Sequence, residues 1–238
     1  MLSEVFKLFW KTVEMKDARR INSQTPPTEI EQFCDIQYID DGLWQHRLDV
    51  YSKSGKLSHR PVIIDIHGGG WMYGTKEINK NYCLVLAQND YVVVNINYRL
   101  APDFSVADQL RDCFFAFKWV STNIEKYGGD LNDVFVTGDS AGGFLAAYSA
   151  LLNSSDKLRK VFGVTESGLE FRACGLTSPV CFMNTHTFQD VYYSRVKGKE
   201  FSESTLRGFE NFDAVLNKGS MPPTFLVTSS GDAVGRLP

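Results

Sequence analysis

Three continuous apolar runs constrain the fold more than anything else in the chain: VIIDI at 62–66, YVVVNIN at 91–97 and VFVTG at 134–138. A strand that is apolar at nearly every position, and not at every second one, is buried on both faces. Stretches of helical character separate these runs, Lys76 to Asn89 and Val106 to Tyr127, and the helix interior FLAAYSALL (144–152) follows the third. Strand and helix in alternation predict a mostly parallel sheet with crossover helices on its faces, an α/β fold. Two more strands are expected, one within FRACGLTSPV (171–180) and one at TFLVTS (224–229). Ahead of them, DIQYID and HRLDVY flank Asp41-Gly42, the pattern of an antiparallel hairpin at the edge of the sheet.

At 238 residues the chain reads as a single α/β domain over 1–238. Two segments stand apart from its alternation. The opening segment sets Leu2, Val5, Phe6, Phe9, Trp10 and Val13 at helical spacing, an amphipathic helix. An insert from about Cys181 to Met221 is too long for an ordinary connection and is expected to carry function or helices of its own. Both are rich in aromatics, including Phe6, Phe9 and Trp10 in one and Phe182, Phe188, Tyr192 and Tyr193 in the other. They are therefore expected to pack together as cap elements, about 1–32 and 181–221, with two unrelated surface patches as the alternative.

Composition removes several function classes. A net charge of −3 argues against binding the backbone of a nucleic acid. Five cysteines, an odd number without a CxxC pair, support neither a disulfide framework nor a zinc site, and fit reduced thiols in the cytoplasm. Glu4, Lys7 and Lys11 interrupt the apolar start, so no signal-peptide core is expected there, nor a membrane span anywhere.

Two motifs carry chemistry. Gly138-Asp139-Ser140-Ala141-Gly142 joins the end of a buried strand to the start of an apolar helix. In that setting a serine sits on a sharp strand-to-helix turn, its hydroxyl above the sheet and the helix N-terminus aimed at it. The plainer alternative is a helix start eased by glycine and capped by Asp139 or Ser140. The second motif, His67-Gly68-Gly69-Gly70-Trp71, follows VIIDI. Consecutive glycines at a strand end let backbone N–H groups point into a cavity, as an acyl-transfer oxyanion requires. No Lys-Ser/Thr pair follows to make it a phosphate loop.

With HGGGW (67–71), YRLAP (98–102) and GDSAGG (138–143) in this order, the chain resembles the α/β-hydrolases of the hormone-sensitive-lipase group, which include many carboxylesterases; the resemblance covers roughly 61–232. It implies an α/β-hydrolase fold with Ser140 as nucleophile and an oxyanion hole from the N–H groups of Gly69, Gly70 and Ala141. His67 and Gly68 would support the glycine loop, Arg99 would support structure nearby, and Asp232 would be the acid. Val234 stands where the family has leucine, and a loop aspartate capping a following helix is the competing reading of Asp232.

The family's histidine lies well downstream of its acid, whereas this sequence stops at Pro238. His46, His59 and His67 are read as non-catalytic, and His186 as a surface residue. The expectation is a chain that is incomplete at its C-terminus, lacks its base and is nearly inert as an esterase when tested alone. The implied reaction is hydrolysis of short- or medium-chain carboxylic esters through an acyl-enzyme, with a small-molecule ester as partner and no metal or organic cofactor. A catalytically dead binding protein on the same scaffold, an amidase and an acyltransferase are the alternatives.

Overall fold

The three apolar runs form the middle of a seven-stranded sheet. The computed structural model describes residues 2–55, 59–183, 189–203 and 206–230, apart from the side chains of 2–7, 189–190 and 202–203. Its elements in chain order are α1 (Leu2–Asn22), β1 (Ile30–Gln37), β2 (Arg47–Lys53), β3 (Arg60–Ile66), α2 (Lys80–Gln88), β4 (Val92–Ile96) and α3 (Val106–Asn123). Then follow β5 (Gly129–Asp139), α4 (Ser140–Asn153), α5 (Asp156–Phe162), β6 (Phe171–Thr177), α6 (Gln189–Glu203), α7 (Phe212–Leu216) and β7 (Thr224–Val227). The sheet order is β1-β2-β4-β3-β5-β6-β7. β1 and β2 pair antiparallel, β2 joins β4 antiparallel, and every other neighbour is parallel. This is the α/β-hydrolase arrangement, a mostly parallel sheet flanked by helices.

β4 shows why its run is apolar throughout. Val92, Val94 and Ile96 enter the large core shared with α3 and α4, while Val93 turns to the opposite face against Cys83, Leu84 and Ala87 of α2. All five residues of the strand are buried. α3 starts at a reciprocal cap in which the Ser105 hydroxyl accepts from the Asp108 N–H and the Asp108 carboxylate accepts from the Ser105 N–H.

The hairpin forms at the edge of the sheet, with Asp41-Gly42 inside a longer connection, since β1 ends at Gln37 and β2 begins at Arg47. The Asp41 carboxylate is engaged within the longer loop, accepting from the Leu43 N–H and pairing with His46 Nδ1 at 2.7 Å. One expectation needs correction: among the described side chains of α1, Trp10 and Val13 turn inward, but Phe9, expected on the same apolar face, is 56% exposed.

The insert carries helices of its own, α6 and α7, with α6 broken at Gly198 (φ +65°). Arg111 of α3 grips the Glu200 carboxylate with both terminal nitrogens, at 2.9 and 2.7 Å, tying α6 to the body. No helix among the described residues is long and apolar enough to cross a membrane.

Candidate active site

β3 and β5 are adjacent and parallel, and their register sets Ile66 opposite Gly138. The two glycine-rich motifs therefore leave the sheet side by side. Ser140 takes φ +51°, a left-handed conformation unusual for a residue with a side chain, at the junction of β5 and α4. A Cβ on Gly142 would come within 2.5 Å of the His67 carbonyl oxygen, so only glycine lets the first turn of α4 pass under the glycine loop. The Asp139 side chain makes no cap hydrogen bond to α4, which removes that part of the plainer reading of this motif.

Gly69 and Gly70 adopt φ of +119° and +58°. The Gly69 carbonyl accepts from the N–H groups of Met72 and Tyr73, at 3.2 and 3.0 Å, and the Gly70 carbonyl accepts from the Tyr192 hydroxyl. With both carbonyls held, their N–H groups donate to no described residue. A Cβ on Gly70 would lie within 2.5 Å of the Trp10 ring, so α1 closes on this loop at a position where only glycine fits. Trp10 stacks on Tyr73 with centroids 5.4 Å apart and meets Tyr192 at 6.4 Å. A cavity of about 370 Å³ opens here, lined by Gly69, Gly70 and Ser140 on one side and by Trp10, Arg20 and Tyr73 on the other.

His67 is fully buried. Its Nδ1–H donates to the Gly68 carbonyl at 2.7 Å, its ring stacks on Tyr98, and the Tyr98 hydroxyl donates to the His67 carbonyl. Burial pushes the imidazole down to about 4, against the opposing pull of the Gly68 bond and the Asp139 charge, so the ring is neutral.

Asp139 Oδ1 accepts from the Gly68 N–H at 3.0 Å and from Asn79 Nδ2 at 2.9 Å. The same Asn79 nitrogen donates to Asp65 Oδ2 at 2.9 Å. Burial raises the Asp65 carboxyl to about 7, with the Asn79 bond working against it and the Asp139 charge adding to it. The sequence reading singled out neither residue; the available signal was an acid in the middle of the buried run VIIDI.

Asp232, His186 and Phe188 lie outside the described residues. β7 nonetheless carries the chain to the right end of the sheet, because Asp139, Thr177 and Val227 stand level across β5, β6 and β7. The other histidines are elsewhere. His46 is buried between Asp41 and Asp112 in the hairpin loop, and His59 is exposed just before β3, at the opposite end of that strand from the glycine loop. Arg99 donates to Asp112 at 2.6–3.0 Å and buttresses the segment after β4. Among the described residues no cluster of His, Cys, Asp and Glu is suited to holding a metal ion.

A family model described as BD-FAE matches residues 48–197. Esterase B from Lactobacillus rhamnosis, in a crystal structure with a tributyrin phosphonate inhibitor, superposes with a TM-score of 0.91 at 30% identity, over 98% of this chain and 75% of its own. Among curated relatives, the isoprenylcysteine alpha-carbonyl methylesterase ICME of Arabidopsis thaliana is 28% identical over 198 residues, 79% of this chain. The carboxylesterase NlhH of Mycobacterium tuberculosis is 32% identical over 145 residues, 59% of this chain. The chain spans 46% and 45% of these two relatives' own lengths, somewhat under half.

Proposed function

The chain belongs to the BD-FAE family, within the hormone-sensitive-lipase-like α/β-hydrolases, and on that premise we propose that it hydrolyses small carboxylic esters through Ser140. The observation that carries this reading is Ser140 at φ +51° lining one cavity together with Gly69 and Gly70 of the glycine loop. Ser140 Oγ attacks the ester carbonyl, and the negative charge that develops on oxygen is met by the N–H groups of Gly69, Gly70 and Ala141. Collapse of that intermediate expels the alcohol and leaves an acyl-serine, which water then hydrolyses. His67, neutral and engaged with Gly68, braces the loop and does not take the serine proton. That role falls to an imidazole oriented by Asp232 and contributed from outside the described residues.

α1 and the insert act as the cap of this site. Trp10, Tyr73 and Tyr192 supply its aromatic wall, which suits a short or medium acyl chain or an apolar alcohol. The homologous esterases support ester hydrolysis as the reaction class. The test is covalent capture with a tributyrin-type phosphonate followed by mass spectrometry of the peptides. An adduct on Ser140 that disappears in Ser140→Ala is the expected result. A chain that turns over p-nitrophenyl acetate equally well with Ser140→Ala contradicts the assignment.

A further inference from the structure

Asn79 sits between a short 3-10 turn (Lys76–Ile78) and the start of α2, a position where asparagine commonly caps a helix with its side chain. Here the side chain makes no cap bond. Its amide nitrogen is directed instead to Asp65 Oδ2 and Asp139 Oδ1, both at 2.9 Å, so its two hydrogens are consumed by two carboxyl groups on different strands. Asp139 Oδ1 is also the acceptor for the Gly68 N–H. A continuous chain of hydrogen bonds thus runs Asp65–Asn79–Asp139–Gly68 and ends one residue before the proposed oxyanion donors.

We propose that Asn79 is a positioning residue for the oxyanion loop, linking the protonation of Asp65 to the Gly68 peptide through Asp139. The inference rests on the assignment of Ser140 and the glycine loop above. An ionised Asp65 repels the Asp139 charge and binds its amide hydrogen more strongly, which draws Asn79 away from Asp139; a proton on Asp65 relaxes both effects. The titratable groups facing Asp65 are Asp139 on β5, Cys83 and Tyr82 on α2, and Tyr98 in the segment after β4. The nearby buried cation, Lys76, is engaged by Asp35, Asp49 and Glu77. Asp65 is therefore mostly protonated below neutral pH and ionises as pH rises through about 7, and that ionisation is the event that the loop senses.

The test follows the Gly68 amide proton by NMR from about pH 5.5 to about pH 8.5, a range that spans the raised carboxyl and avoids ordinary ones. In the native chain the resonance should titrate with a midpoint near 7. The titration should vanish in Asp65→Asn and in Asn79→Ala, and in the latter the resonance should also move, because Asp139 has lost a donor. Asn79→Ser, which retains one donor, replaces Asn79→Ala should the latter not fold, and should weaken the coupling in the same direction.

The rate of covalent capture of Ser140 by the tributyrin-type phosphonate is the second readout, with Ser140→Ala as its control. Asn79→Ala should slow capture about tenfold, short of the ~10²–10³ lost when an oxyanion donor is deleted outright. A flat Gly68 titration in the native chain, an unchanged midpoint in Asn79→Ala, or an unaffected capture rate overturns the proposal. Capture surviving Ser140→Ala would instead remove the serine assignment, while the Gly68 titration still decides the role of Asn79.

Discussion

His67 shows how burial turns an ionisable side chain into a structural part. Its ring is held between the Gly68 carbonyl and Tyr98, with its pKa depressed to about 4. In the unfolded chain the same ring protonates below about 6.5. As pH falls through that value the unfolded state gains a proton that the folded state refuses. The contribution to stability is thus intact above pH 6.5 and is lost as pH drops toward 4, by roughly 3 kcal/mol in all. His67→Gln, which cannot titrate, should therefore lose less stability than the native chain between about pH 7 and about pH 4 in urea denaturation. A native-minus-variant difference that stays constant with pH would contradict a buried neutral imidazole. Residues of this kind were partly legible beforehand. The glycines and Ser140 have a local signature, because a sharp turn demands specific residue types in sequence. Asn79 has none, and Asp65 shows only as an acid within a buried run, since their roles arise from partners 14 and 60 residues apart in the chain.

At the level of elements, helix ends and helix docking give separate predictions. α3 begins at the Ser105–Asp108 capping box, and Ser105→Ala should cost about 1 kcal/mol, read as a lower urea midpoint with an unchanged slope. α1 is held by Trp10, which stacks on Tyr73 and abuts Gly70 and Tyr192. Trp10→Ala removes an aromatic contact worth about 1 kcal/mol and should free the helix for proteolysis in the 23–29 connection. With α1 as a cap of the site, the phosphonate concentration that gives half-maximal capture of Ser140 should rise several-fold. An unchanged concentration would contradict the cap role. The element order was legible because period-2 and period-3.6 patterns are local properties of the chain. The hairpin was legible too, whereas the length of its connection was not, because the pairing of Asp41 with His46 does not show in a turn dipeptide.

Across the whole molecule, the sheet is well covered in its middle, and among the described residues β7 is the strand with the most exposed apolar side chains. Phe225 is 73% exposed, and it shares an apolar groove with Tyr82, Tyr91 and Phe135 on the face that carries α2. Exposed apolar side chains gathered in one groove invite association with another chain. Phe225→Lys should reduce self-association in light scattering while leaving the far-UV circular dichroism unchanged. Equal scattering from both chains would show that the groove is not adhesive. The sequence by itself determined the alternation of buried strands and helices, the turn at Ser140 and the glycine loop after β3, because each is written in contiguous residues. Only the tertiary structure decided that Ile66 and Gly138 lie level, that Trp10 closes on Gly70, and that one asparagine joins two acids beneath the loop. These depend on which strands become neighbours and in what register, and that choice is made by burial summed over the whole core, not by any local stretch of chain.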